Sequence, residues 1–326
     1  MSIIVTGSIA TDFVMAYPGK FREHILPDQS KISVSFLVED KQMSRGGVGP
    51  NIAYSLALLG QSPRLMGAAG QDFGDYRSWL EAQGVDTTLT VAFADEFTAT
   101  FTVITDLEQN QIAGFHAGAM SRARELSLRD IDRADIDLVI ISPNDPTAML
   151  NYAAECRELG LRFIFDPSQQ LARMDGAQVR QGMEGAAVLS VNDYELELVK
   201  QKTGMTEEEL LAHADMLVVT RGPDGSTLMG GGRAVHVPVA APTAMVDPTG
   251  VGDAFRAGLI TGLVRGYPWE VTGRLGALAA TYVLEKSGTM NHHYTLTEFV
   301  DRYRATFGDT PELADLGSGG QRATQA

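Results

Sequence analysis

One segment of the 326-residue chain gathers groups suited to phosphoryl chemistry: Asp247-Pro248-Thr249-Gly250-Val251-Gly252-Asp253. Its paired glycines let a backbone turn sharply and come close to a ligand. Directly after them Phe255, Leu259 and Leu263, with Ala257, Ile260 and Val264, form the apolar stripe of a helix. A helix start leaves its first N–H groups without intrahelical partners and carries the positive end of the dipole. A transferring phosphoryl group spreads negative charge over its equatorial oxygens and needs such donors. Asp253, in the first turn, could take the proton of an attacking hydroxyl. It is equally well explained as a cap on a helix that follows a Gly-rich turn. Two other phosphate loops are excluded. The chain has no Gly-x-x-x-x-Gly-Lys-Ser/Thr, and neither Gly250-x-Gly252 nor Gly47-x-Gly49 is followed by a third glycine at the dinucleotide spacing.

Such a segment needs a scaffold, and the flanking pattern supplies one. Ile3 to Thr6, Leu138 to Ser142, Phe163 to Phe165, Ala187 to Val191 and Met216 to Thr220 are short apolar runs. Near-continuous runs of this kind suit strands of a parallel sheet buried on both faces. Amphipathic stretches lie between them, with Ile52, Leu56 and Leu59 on one face of Asn51 to Leu59 and a similar pattern from Pro146 to Leu159. Strand and helix in alternation predict an α/β fold with a Rossmann-like, doubly wound sheet flanked by helices. Two regions break the alternation: 31–39 and 97–115 have a period of two. They predict antiparallel strands of a small β-sheet, a lid or a dimer surface, with a turn at Glu108-Gln109-Asn110. Residues 1–307 read as one domain. From Gly308 to Ala326 the chain is polar and Gly-rich, which predicts a disordered tail.

Composition narrows the classes. Lys plus Arg number 26 against 41 Asp plus Glu, a formal net charge of −15. That excess of acid argues against nucleic acid or an anionic membrane as partner. It leaves small anions open, because a helix N-terminus binds them without side-chain charge. The single cysteine, Cys156, excludes an intrachain disulfide and reads as an idle thiol in a reducing compartment. No run reaches the roughly 18–20 apolar residues that span a bilayer, and the start of the chain lacks the basic residues of a signal peptide. A soluble, cytoplasmic protein is expected.

The segment from Asp247 through Ala254-Phe255-Arg256-Ala257-Gly258 resembles the second signature of the ribokinase-like (phosphofructokinase B) carbohydrate and nucleoside kinases. Gly46-Gly47-Val48-Gly49-Pro50-Asn51-Ile52-Ala53, with Gly60 and Gly70 following, resembles the first. The likeness covers residues 1 to 305. Within the family, Gly7-Ser8-Ile9-Ala10-Thr11-Asp12, Ser35-Phe36-Leu37-Val38, Phe115-His116-Ala117-Gly118-Ala119-Met120, Asp166-Pro167-Ser168-Gln169-Gln170 and Asn192-Asp193-Tyr194-Glu195 are similar to stretches of bacterial adenosine kinases.

The resemblance implies ATP and Mg²⁺, and possible activation by K⁺. It implies Asp253 as the base acting on a 5′-hydroxyl, with Gly250, Val251 and Gly252 as the anion hole. Asp12, Gly47 and Asn51, with Ser8 and Ser35 near them, would hold the sugar. Phe101, Phe115 and Met120 would enclose the purine, read by the amides of Gln169 and Gln170. Asn192 and Glu195 would position Mg²⁺ through water. Thr220, Arg221, Gly222 and Gly225 would form the nucleotide turn, and Asp247 and Thr249 a K⁺ site. Asn192 and Glu195 are also explained as a capping box, and Phe101 and Phe115 as ordinary core. His292 and His293 lack metal-ligand spacing and read as surface groups.

An adenosine kinase of purine salvage, pairing as a homodimer through the lid, is therefore expected. The alternatives are a kinase of inosine, guanosine, ribose or fructose, and a nucleoside sensor without catalysis.

Overall fold

The computed structural model describes residues 2–24, 34–134 and 136–317. In chain order the strands are β1 (Ser2–Thr6), β2 (Ala10–Ala16), β3 (Asp40–Gly46), β4 (Pro63–Gly70), β5 (Thr90–Phe93), β6 (Ala99–Thr105), β7 (Gln111–His116), β8 (Ile136–Ile141), β9 (Phe163–Phe165), β10 (Val188–Asn192), β11 (Leu217–Thr220), β12 (Ser226–Gly230) and β13 (Arg233–Val237). The helices are α1 (Val48–Leu58), α2 (Gly74–Ala82), α3 (Pro146–Leu159), α4 (Gly176–Met183), α5 (Asp193–Thr203), α6 (Glu207–Leu210), α7 (Val251–Arg265), α8 (Trp269–Leu284), α9 (Leu296–Phe307) and α10 (Glu312–Gly317).

The large sheet has the order β13-β12-β11-β10-β9-β8-β1-β4-β5. From β5 to β11 every neighbour is parallel, and β12 and β13 extend the edge as an antiparallel hairpin. Both faces are covered. Ile3, Val5, Leu138 and Ile140 pack against α1, α7, α8 and α9, whereas Ile4, Val139 and Ile141 pack against α3, α4 and α5. Alternate residues thus enter two different cores, which is why these strands read as unbroken apolar runs. The parallel arrangement brings the carboxyl ends of β1, β8, β9, β10 and β11 to one edge, where ligands bind in open α/β sheets.

The second sheet has the order β3-β2-β6-β7, with β2 and β6 parallel and the outer pairs antiparallel. Its register sets Ser44, Asp12, Phe101 and Phe115 across one row, hence on one face. Phe13, Met15, Met43, Ile104 and Ile112 share the opposite face. The β6–β7 turn lies where expected. There the Asp106 carboxylate accepts the N–H groups of Glu108 and Asn110, and Gln109 takes φ 64°.

Two expectations are corrected. The described part of the stretch 31–39 is not a strand of this sheet. Residues 31–33 lie outside the described residues, and 34–38 have no ladder. Both edges of β2 are already taken by β3 and β6. The alternation of Val34, Phe36 and Val38 instead serves local packing, with the Phe36 ring 4.9 Å from Tyr17 and 4.8 Å from Phe21. The polar strand Asp40–Gly46 does the pairing, because backbone bonds do not require an apolar side-chain pattern.

The tail is the second correction. α10 buries Leu313 and Leu316 against the α9 side of the core, and burial of a leucine is worth about 1.5–3 kcal/mol. Polar average composition hid this spaced pair. Residues 318–326 lie outside the described residues. No described helix is long and apolar enough to cross a membrane.

Candidate active site

Three strand ends and one helix start converge. Asp166 follows β9, Asn192 closes β10, Thr220 closes β11, and Gly250 sits immediately before α7. Asn192, Thr220 and Gly250 border a cleft of ≈ 240 Å³ also lined by Val48, Ser168, Gln169, Glu195, Gly252, Asp253 and Arg256, with Asp166 buried behind it. Gly250 takes φ 82°, a left-handed conformation that turns the chain into the helix. A Cβ there would also lie 3.0 Å from Thr289. Of the three proposed anion-hole donors, the Val251 N–H points to the Pro248 carbonyl at 3.3 Å. Gly250 and Gly252 are the two that line the cleft.

Asp253 is 8% exposed. Its Oδ2 accepts Asn51 Nδ2 at 2.8 Å, and its Oδ1 accepts Arg256 Nη1 at 3.2 Å. Burial raises its pKa, while the Arg256 charge and the Asn51 hydrogen bond pull it down. Arg256 Nη2 donates to Asp166 Oδ1 at 2.6 Å. Asp166 has no exposure, and its pKa is pushed up to about 7 by burial against the opposing pull of Arg256. Arg256 and Asp166 were given no separate role by the sequence reading. The spacing of Arg256, three residues beyond Asp253 on a helix, was the available signal. No sequence signal ties Asp166 to it.

Asn192 and Glu195 close a capping box: Asn192 Oδ1 accepts the Glu195 N–H, and Glu195 Oε2 accepts the Asn192 N–H, both at 2.8 Å. The structural role and a place on the cleft wall therefore coexist. Glu195 Oε1 also accepts Ser168 Oγ at 3.1 Å, and Ser168 holds φ 40°, a costly conformation for a residue with a side chain. Among the described residues no three acidic, His or Cys side chains converge on a metal position. One carboxylate on the wall fits a divalent ion that keeps its waters and is held mainly by phosphate oxygens.

The neighbouring turns are ordered by their own bonds. The Arg221 N–H donates to the Gly225 carbonyl at 2.8 Å and its guanidinium to Thr227 Oγ1 at 2.7 Å, and Gly222 opens a short turn. Of this group Thr220 alone lines the cleft. Asp247 accepts the N–H groups of Thr249 and Gly288, each at 2.9 Å, which ties two loops and lowers its pKa.

The expected nucleoside side is less enclosed. Gly47, at φ 96°, lets two chain segments meet; a Cβ there would stand 2.4 Å from the Ser8 carbonyl oxygen. Ser8 Oγ accepts the Val48 N–H at 3.3 Å. Phe101 and Phe115 are paired across β6 and β7 and exposed by 36% and 54%. Asp12 lies in the same row, its pKa raised by partial burial. Gln169 borders the cleft, whereas Gln170 is buried with Oε1 unpartnered. Met120 belongs to a small buried cluster with Ala10 and Ala99. Ser35 is exposed on the irregular stretch before β3. Neither Asp12, the two phenylalanines nor Ser35 lines the cleft around Asp253.

His292 is corrected. It is buried rather than at the surface, and its carbonyl oxygen accepts Tyr54 Oη at 2.7 Å. Burial lowers its pKa to about 4, so the imidazole is neutral. His293 is exposed as expected.

A model described as "pfkB family carbohydrate kinase" matches residues 2–295. A nucleoside kinase of Methanothermobacter thermautotrophicus is 30% identical, over 82% of this chain and 87% of that protein. The structure of Burkholderia thailandensis nucleoside kinase in complex with inosine aligns with TM-score 0.85 and 35% identity, covering 95% of this chain and all (100%) of that one. The same enzyme in complex with ADP-inosine aligns with TM-score 0.82 and 37% identity, covering 95% and 97%.

Proposed function

The chain belongs to the pfkB family of carbohydrate kinases, and on that premise we propose that it transfers the γ-phosphate of ATP to the 5′-hydroxyl of adenosine. The observation that carries this reading is Asp253. A buried carboxylate at the first turn of α7 shares a cleft with two glycines and with the Asn192–Glu195 pair. In it, a proton acceptor, backbone donors and a metal-side carboxylate line one cleft.

Asp253 accepts the hydroxyl proton on a lone pair left free beside Asn51 or Arg256. Gly250 and Gly252 offer N–H groups to the transferring phosphoryl. Glu195 would hold Mg²⁺ through water, and the ion would neutralise phosphate charge. Asp12 accepts two hydrogen bonds from the ribose diol, with Asn51, Gly47, Ser8 and Ser35 on the sugar side. Phe101 and Phe115 stack on the purine, and Gln169 and Gln170 offer donor and acceptor to its edge. Closure of the small sheet over the nucleoside excludes water. Thr220 to Gly225 receive the ATP base end, and Asp247 with Thr249 mark the loop for K⁺. The apolar outer face of the small sheet, with Met43 66% and Ile112 41% exposed, supports pairing of two chains there.

A second reading changes only the acceptor. The Burkholderia enzyme is bound to inosine, and a Gln amide presents either a donor or an acceptor to position 6 of a purine. Initial rates with ATP and equal concentrations of adenosine, inosine, guanosine and ribose decide between them. Adenosine is expected to show the highest kcat/KM and ribose the lowest. Inosine ahead of adenosine sinks the adenosine reading and leaves the kinase; no ADP release with any of them sinks both.

A further inference from the structure

The cleft holds one cation whose position the proposed reaction leaves unexplained. Arg256 is a single turn beyond Asp253 on α7, with a side chain only 11% exposed. Its Nη2 sits 2.6 Å from Asp166 Oδ1 and its Nη1 3.2 Å from Asp253 Oδ1, so one guanidinium is shared by two buried carboxylates. Among the described residues Asp166 Oδ2 and Arg256 Nε have no partner, so neither ion is fully satisfied there. A Cβ on Gly252 would stand 3.0 Å from Nη1, which places that edge of the guanidinium against the turn that carries the proposed phosphate donors.

Buried ion pairs can often be replaced by apolar residues at no cost in stability. Stability alone is therefore a weak reason for this arrangement. A base in a buried site has two opposite needs. It must be ionised despite desolvation, and it must stay basic enough to take a proton. A cation pressed tightly on both its oxygens would meet the first need and defeat the second. Here the shorter contact goes to Asp166 and the longer one to Asp253. We propose that Arg256 is a positioning residue that keeps the Asp253 carboxylate ionised and aimed into the cleft, and that Asp166 holds the guanidinium back so that the carboxylate retains its basicity. This rests on Asp253 being the base. The other groups facing the cluster are the neutral Asn51 from α1 and Glu195 from α5, whose charge acts on Arg256 and Asp166.

The two partners predict opposite outcomes. The rate of single-turnover phosphorylation is followed against pH at saturating ATP and adenosine, so that chemistry rather than product release is observed. In Arg256→Gln the acid limb moves to higher pH by about one unit or more, the usual effect of removing a charge at this range, and the rate recovers as pH is raised. Arg256→Lys, which keeps a cation, lies between Arg256→Gln and the unaltered protein. In Asp166→Asn the limb moves to lower pH. KM for adenosine stays within about threefold in all three, since a tenfold effect would correspond to a lost binding contact of about 1.4 kcal/mol.

Limbs that stay in place in both Arg256→Gln and Asp166→Asn, or that move the same way, overturn the proposal. Should Arg256→Gln fail to give the unaltered melting curve, Asp166→Asn decides alone. Asp253→Asn separates this from the parent reading. Retained turnover in that variant removes the base itself, whereas lost turnover with unmoved limbs in the others removes only the role of Arg256.

Discussion

The cleft at the strand ends and the inner face of the small sheet carry the proposed chemistry in different states. At the cleft, Asn51, Asp253, Arg256 and Asp166 form one chain of hydrogen bonds, and Asn192 and Glu195 bond to each other. On the sheet, the backbone of Asp12 is paired to β3 and β6 while its carboxylate is only partly buried, and Phe101 and Phe115 are exposed by 36% and 54%. The first region is preorganised by the packed core beneath it: helix α7 meets α8 and α1, and the strand ends are fixed by both layers. The second is a four-stranded sheet with little beneath it but Ala10, Ala99 and Met120. Charge development needs fixed dipoles, since reorganising them during reaction costs energy. Capture of a flat base and a diol needs a surface that can move.

On that contrast, substitutions in the cleft are expected to change turnover and substitutions on the sheet to change substrate capture. The largest effect is expected for Asp253→Asn. Loss of a general base lowers kcat by about 10²–10⁴, with adenosine binding by calorimetry nearly unchanged. Near-normal turnover would erase the distinction between the regions. Next comes Asp12→Ala. A hydrogen bond to a charged group is worth about 1.5–3 kcal/mol, so kcat/KM for adenosine should fall by about 10- to 100-fold. A purely catalytic defect with unchanged affinity would move Asp12 to the cleft side of the comparison.

Phe101→Ala should be milder still. Base stacking on an aromatic ring is worth about 1–3 kcal/mol, which predicts about a tenfold rise in KM for adenosine and little change for ribose. Equal losses for the two acceptors would deny the ring a role in base recognition.

The smallest effect concerns stability behind the cleft. The folded pKa of His292 is lowered to about 4 from the usual 6.5. The unfolded chain therefore binds more protons between these values, and folding stability is lost as pH falls through the window. His292→Gln should flatten the slope of unfolding free energy from pH 6.5 to about 4, measured by urea titration. An unchanged slope would mean that the imidazole titrates normally.

Much of this frame was legible in one dimension. Strands buried on both faces must be apolar throughout, so β1, β8, β9, β10 and β11 announced themselves, and Pro146–Leu159 could be bounded by its proline and its following glycine. The glycines at 250 and 252 signalled a sharp turn, and Gly250 takes φ 82° at the start of α7. What misled was the small sheet. Val34, Phe36 and Val38 alternate as a strand does, yet pairing depends on a free edge, and β3 with its polar Asp40, Lys41 and Gln42 holds that edge. His292 misled for a related reason: whether a histidine is covered depends on α1 folding over the 288–294 segment, more than two hundred residues away in sequence.

By itself the sequence determined the alternation of strand and helix, the acidic net charge and the residue types at the turn before α7, because each follows from local pattern or from composition. Tertiary structure alone decided that Asn51 and Asp166, remote in the chain, meet Asp253 and Arg256 of α7. It also decided how one arginine divides its charge between two carboxylates. Desolvation and pairing belong to a place in space, and that place exists only once the sheet has brought β9, α1 and α7 to one edge.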